Sequence, residues 1–139
     1  MIRFFYEDCE TRGFINENNL LKTTQVIDNE GFKKGDIAVI FCSDSYLLSI
    51  NKQHLNHDYY TDIITFSYVE EGVISGDLFI SIDRVSENAR KEQVSKTNEL
   101  SRVMIHGLLH LCGYNDKEED EIKVMREKEK EYLSMIGFT

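Results

Sequence analysis

The chain has 139 residues, enough for one domain and short for two. Its 41% hydrophobic and 29% charged residues exclude a disordered chain. Sixteen Lys and Arg against 25 Asp and Glu leave a net charge of −9, which excludes a general nucleic-acid coat protein.

Ile2–Tyr6 is a short apolar-aromatic run that predicts a strand. Asn16 caps a predicted helix carrying Leu20, Leu21, Thr24 and Ile27, with Gly31 just past its end. Ile37–Cys42 is short and rich in β-branched residues, as a buried strand is. Ser43 or Asp44 then caps a helix with Tyr46, Leu47, Ile50 and His54 on one face. A polar loop, Asn56–Thr61, leads to two strands, Asp62–Tyr68 and Gly76–Ser81, joined as a hairpin. From there the pattern is helical: Asp83 caps a helix to about Val94, and Thr97 opens the next. That helix places Leu100, Val103, Met104, Leu108 and Leu111 at helical spacing and stops at Gly113. A last helix from about Lys117 carries Ile122, Met125, Tyr132, Leu133 and Ile136 on one stripe. Strands early and helices late predict an α+β fold: a single domain, residues 1–139, with a small mixed sheet of about four strands packed against helices.

No apolar run reaches the roughly 18 residues of a membrane span. The N-terminus meets acids at once and has no apolar leader, so a cytoplasmic protein is expected. Cys9, Cys42 and Cys112 are odd in number and far apart, as unpaired thiols in a reducing compartment are. Only the segment 82–105 is net positive, with five basic residues against four acidic.

The stretch that carries chemistry is Ile105–Asp116, I-H-G-L-L-H-L-C-G-Y-N-D. His106 and His110 are four apart on a predicted helix, so both imidazoles project from one face. Gly113 can end the helix in a left-handed turn and bring Asp116 back towards the rings. Two nitrogens and a carboxylate with one open position are what a catalytic zinc site needs. Asp116 as an N-cap of the last helix, or Asp120 as the third ligand, are the alternatives. Zinc peptidases carry Glu after the first His as general base, but Gly107 stands there, which disfavours amide or ester hydrolysis. Cys112 lies on the far side of the helix from His110 and reads as a small buried hydrophobe.

These residues resemble the YbeY family of metal-dependent endoribonucleases, the rRNA maturation factors. The family's H-G-x-L-H-L-x-G-Y-D-H is matched by His106–Asp116 except at its last two positions. Thr61–Phe66 (T-D-I-I-T-F) resembles the family's T-D-V-L-S-F, and Gly76–Ser81 (G-D-L-F-I-S) resembles its G-D-I-x-I-S. The resemblance implies a single-strand-specific endoribonuclease acting on the 3′ end of small-subunit rRNA and in ribosome quality control. It also implies one Zn²⁺ per chain held by His106, His110 and Asp116, and partners among rRNA precursors, the ribosome and ribosomal proteins. Asp116 replaces the family's third His, and Leu55 stands where the family carries an Arg after its L-N motif. His57, Arg84, Arg90 and Arg102 are possible substitutes for that arginine. A metal-bound water is the favoured nucleophile, attack by the substrate's own 2′-hydroxyl is the alternative, and His57 and Arg102 are further catalytic candidates. Arg84, Arg90, Lys91 and Arg102 of the positive segment are candidate RNA contacts. A metal-bearing, non-catalytic ribosome-assembly factor is the competing expectation, motivated by the missing Arg and the acidic surface.

Overall fold

The computed structural model describes residues 1–10 and 13–138. Strands β1 (Ile2–Tyr6), β2 (Lys33–Cys42), β3 (Ile63–Ser67) and β4 (Val73–Ser81) form one mixed sheet in the order β1-β2-β4-β3. β2 runs parallel to both β1 and β4, and β3 pairs antiparallel with β4. The central strand carries Ile37, Val39, Ile40, Phe41 and Cys42, all buried, the continuous apolar run expected where both faces are covered. The hairpin is as expected, and β4 starts earlier than Gly76 because its turn closes at Gly72, in the left-handed region at φ +76°.

Among the described residues six helical segments accompany the sheet: α1 (Glu17–Lys22), α2 (Gln25–Asn29), α3 (Asp44–Leu55), α4 (Ile82–Glu92), α5 (Lys96–Leu111) and α6 (Glu119–Met135). α5 is the hub. Leu100, Val103, Met104, Ile105, Leu108 and Leu109 are all buried and join Ile37, Val39, Phe41, Leu78 and Ile80 from one face of the sheet. α3 covers the other face, where Leu47 packs with Cys42 and Ile64. Burial pushes the Cys42 thiol up to about 12, so it is an inert core side chain.

Several helix boundaries also differ from the sequence reading, and β2 starts at Lys33 rather than Ile37. The single helix expected from Asn16 to Ile27 is broken, because the Thr23 and Thr24 hydroxyls donate to the carbonyls of Leu20 (2.6 Å) and Leu21 (2.7 Å) and compete with the helical ladder. Ser81, not Asp83, caps α4, accepting from the Arg84 amide at 3.1 Å. Asp83 instead accepts from the backbone amide of Asp44 and so satisfies the start of α3. Ser95, not Thr97, caps α5. α6 begins at Glu119 behind a capping box of Glu118 and Glu121, which leaves Asp116 free of any capping role. Ile122, expected on the buried stripe of α6, is exposed, and the stripe reads Met125, Glu129, Tyr132.

Candidate active site

His106 and His110 leave α5 one turn apart, their rings edge-to-face with centroids 4.6 Å apart. The helix ends in a Schellman turn: the Tyr114 amide donates to Leu109 O and the Gly113 amide to His110 O, both at 3.0 Å. Gly113 has φ +106°, which a β-carbon disfavours. The chain reverses there and delivers Asp116 to the two rings. His106 Nε2 and His110 Nε2 are 3.0 Å apart, and Asp116 Oδ2 is 3.2 and 3.4 Å from them. A tetrahedral ion bonded at about 2.0–2.1 Å spaces its ligand atoms about 3.3 Å apart. The triangle therefore fits a zinc-sized cation.

The outer nitrogens of both rings point to the same conclusion. His106 Nδ1 lies 2.7 Å from Glu129 Oε2, and His110 Nδ1 lies 2.9 Å from the Tyr114 carbonyl oxygen. Both partners accept only, so each Nδ1 carries the proton and each Nε2 turns its lone pair inward. Two lone pairs and a carboxylate facing one another repel, and a shared cation reconciles them. His106, His110 and Asp116, with carbonyl and carboxylate partners behind the rings, could hold a metal ion, and the partners would serve as its supporting layer.

Behind the triangle lies a buried charge network. Arg102 Nη1 and Arg126 Nη1 both donate to Glu129 Oε1 at 3.1 Å, while Arg102 also grips both oxygens of Glu99 (2.9 and 2.8 Å). Burial raises the Glu129 carboxyl, but the His106 hydrogen bond and the Arg102 charge outweigh it and hold the group below its ordinary value. Burial likewise works against the Arg102 charge, and Glu99, Glu129 and Asp62 more than compensate, so the guanidinium stays ionised.

The triangle opens into a cleft of about 660 Å³, lined also by Leu55, Tyr59, Thr65, Arg102 and Arg126. Asp120 lies in the first turn of α6 and is not part of the cluster. Leu55 does line the cleft, at the place where the resembling family carries its arginine. His57 sits on the loop after α3 and reaches the cleft only through Tyr59, whose hydroxyl is 3.1 Å from His57 Nδ1. Arg84 pairs with Asp44 at 2.9 Å and Arg90 pairs with Glu87, while Lys91 is exposed on the same helix. Arg102 lines the cleft, but its guanidinium is engaged by three carboxylates. Cys112 packs at the edge of the core and takes no part in the cluster. Sequence reasoning missed Glu129. Its signal was there: an acid on the Met125–Tyr132 stripe of α6, where an apolar residue belongs.

A small α+β domain whose central helix presents two imidazoles and a returning carboxylate to an open cleft defines a protein built for metal-assisted chemistry on a bound substrate. A family profile described as Endoribonuclease YbeY matches residues 9–137. A curated protein of that name from Phocaeicola vulgatus is 50% identical over 128 residues, covering 92% of this chain and 87% of its own. Another, from Flavobacterium psychrophilum, is 48% identical over 98% of this chain and 96% of its own. A solution structure of a Thermotoga maritima protein superposes with a TM-score of 0.68 at 34% identity, covering 98% of this chain and 89% of that one. The chain belongs to the YbeY endoribonuclease family.

Proposed function

We propose that this protein is a zinc-dependent endoribonuclease that cuts single-stranded RNA, acting on the 3′ end of small-subunit rRNA and in ribosome quality control. The observation that carries the reading is the 3.0–3.4 Å triangle of His106 Nε2, His110 Nε2 and Asp116 Oδ2 facing an open cleft. When bound there, a divalent ion supplies Lewis-acid stabilisation of charge developing at a phosphate and makes a water more acidic. The chain's own residues do the rest. Glu129 and the Tyr114 carbonyl fix the tautomer and tilt of the two rings. The His106 hydrogen bond and Arg102 keep Glu129 ionised, and Arg126, with its side chain 59% exposed, extends to the cleft to meet substrate phosphate. Gly107 has no proton to give or take, which favours phosphodiester over amide chemistry.

The basic side chains of the positive segment are largely paired, so a ribosomal protein is the partner proposed to bring the enzyme to its rRNA. No described helix is long and apolar enough to cross a membrane, which agrees with work in the cytoplasm beside the ribosome. Leu55 in place of the family's arginine favours a second reading, a metal-bearing ribosome-assembly factor without nuclease activity.

The test is metal content by elemental mass spectrometry on protein purified without chelator, together with cleavage of an rRNA precursor bearing a single-stranded end. One zinc per chain, lost in His110→Ala and in Asp116→Ala along with cleavage, is expected. Zinc with no cleavage, and subunit binding indifferent to metal removal, would favour the assembly factor. Zinc kept in Asp116→Ala would remove Asp116 from the ligand set.

A further inference from the structure

The loop 56–61 carries three aromatic rings, one of which lines the cleft, and the tertiary structure holds that one ready. Asn51 of α3, only 2% exposed, donates its side-chain amide to the Tyr59 backbone carbonyl at 2.9 Å, and its backbone carbonyl accepts from the His57 backbone amide at 3.1 Å. A buried asparagine thus fastens the loop at two points. The result is an exposed ring in a fixed place. Tyr59 lines the same cleft as His106, His110 and Asp116, yet is 56% exposed. His57 stacks on one side of it, with centroids 5.2 Å apart and planes inclined by 20°. Tyr60 is already engaged, with the Arg84 guanidinium over its ring at 5.4 Å. Leu55, 40% exposed and the last residue of α3, adds an apolar wall to the cleft.

Charge goes only part of the way to explaining how an acidic protein would hold a polyanion here: Arg126 and Lys117 line the cleft, but the other nearby cations are engaged. Arg84, Arg102 and Lys52 are each paired with carboxylates. An aromatic platform supplies attraction that needs no net positive charge, about five- to 150-fold in affinity per stacked base, and it accepts any base because each has a π-face. We propose that Tyr59, backed by His57, is a stacking platform for one nucleobase of the single-stranded substrate, close to the phosphate that is cut. Leu55 packs against the edge of that base where the family's arginine would offer charge. His57 is a positioning residue that keeps the Tyr59 ring upright through the stack and the 3.1 Å contact. The proposal rests on the ribonuclease reading above.

The test uses the zinc-loaded enzyme and ten-nucleotide single-stranded RNAs, each carrying 2-aminopurine at one position, mixed by stopped flow so that binding is seen before cleavage. Stacking on an aromatic ring quenches 2-aminopurine. Quenching at least twofold deeper at one position is expected, lost in Tyr59→Ala and kept in Tyr59→Phe. In steady state, Tyr59→Ala should raise KM about tenfold, in the range of one lost stack. An abasic residue at the quenched position should raise KM of the wild type equally and that of Tyr59→Ala no further. A merely structural role for Tyr59 would not produce that non-additivity. Equal quenching at every position, or a quench that Tyr59→Ala leaves intact, overturns the platform. Position-specific quenching without any cleavage sustains the platform and sinks the nuclease reading. Cleavage with a quench indifferent to Tyr59 does the reverse.

Discussion

Glu129 shows how much one residue outside the motif can carry. It is 2% exposed, accepts from Arg102 and Arg126 on one oxygen, and holds His106 Nδ1 with the other. A carboxylate behind a metal-binding imidazole fixes its tautomer and raises its basicity, and losing such a partner costs about 10–100-fold in metal affinity. Glu129→Gln keeps the volume and removes the charge, so zinc affinity measured by chelator competition should fall within that range. The readout separates positioning from folding: a melting point that drops while zinc affinity holds would assign Glu129 a structural role alone. The two histidines and Asp116 were legible in the sequence because four-residue spacing and a stopping glycine are local rules. Glu129 is separated from His106 by the whole connection to α6, and only the packing of α6 on α5 joins them.

Among the elements, α5 explains the glycine that the sequence could only call unsuited to proton transfer. A β-carbon on Gly107 would meet Ile63 Cδ1 at 2.7 Å and Leu78 Cδ2 at 3.1 Å, so the helix lies directly on β3 and β4 at that point. Gly76 is tighter: a β-carbon there would meet the Phe66 carbonyl oxygen at 2.5 Å and Leu111 Cδ2 at 2.8 Å. Side-chain ends can shift and a paired strand's backbone cannot. Gly107→Ala should therefore cost little, because about 1–3 kcal/mol of overpacking is partly offset by about 1 kcal/mol of helix propensity. Gly76→Ala has no such offset and should lower stability by more, the ranking to be read from denaturant midpoints. Equal losses would show that β4 yields as readily as the side chains do. The helix caps tell a related story. Ser81 and Asp83 are both competent caps in sequence, and a tertiary contact settles which of the two serves α4. Asp83 is wanted by α3.

For the molecule as a whole, one carboxylate ties three elements together beneath the loop that returns Asp116 to the histidines. Glu30, at the end of α2, accepts from the Tyr114 hydroxyl at 2.6 Å, from the Tyr132 hydroxyl, and from Lys128 Nζ at 3.5 Å. Burial raises its carboxyl, but the two phenols and Lys128 outweigh that and hold it below the ordinary value of 4.5. A group depressed in the folded state contributes stability that is complete above its unfolded value and lost as pH falls through its folded one. The melting point should therefore fall with acid below about pH 4.5, and Glu30→Gln should flatten that limb while lowering stability at neutral pH. An acid limb unchanged in Glu30→Gln would move the acid sensitivity to other carboxylates.

By itself the sequence determined the α+β class, the four strands, the central helix and the His-His-Asp pattern, because each follows from periodicity or spacing within about a dozen residues. The tertiary structure alone decided the rest. The inward glutamate and the packing role of Gly107 both depend on which distant group competes for a hydrogen bond or a volume. Such competition is settled only when the elements meet, and no local pattern records its outcome.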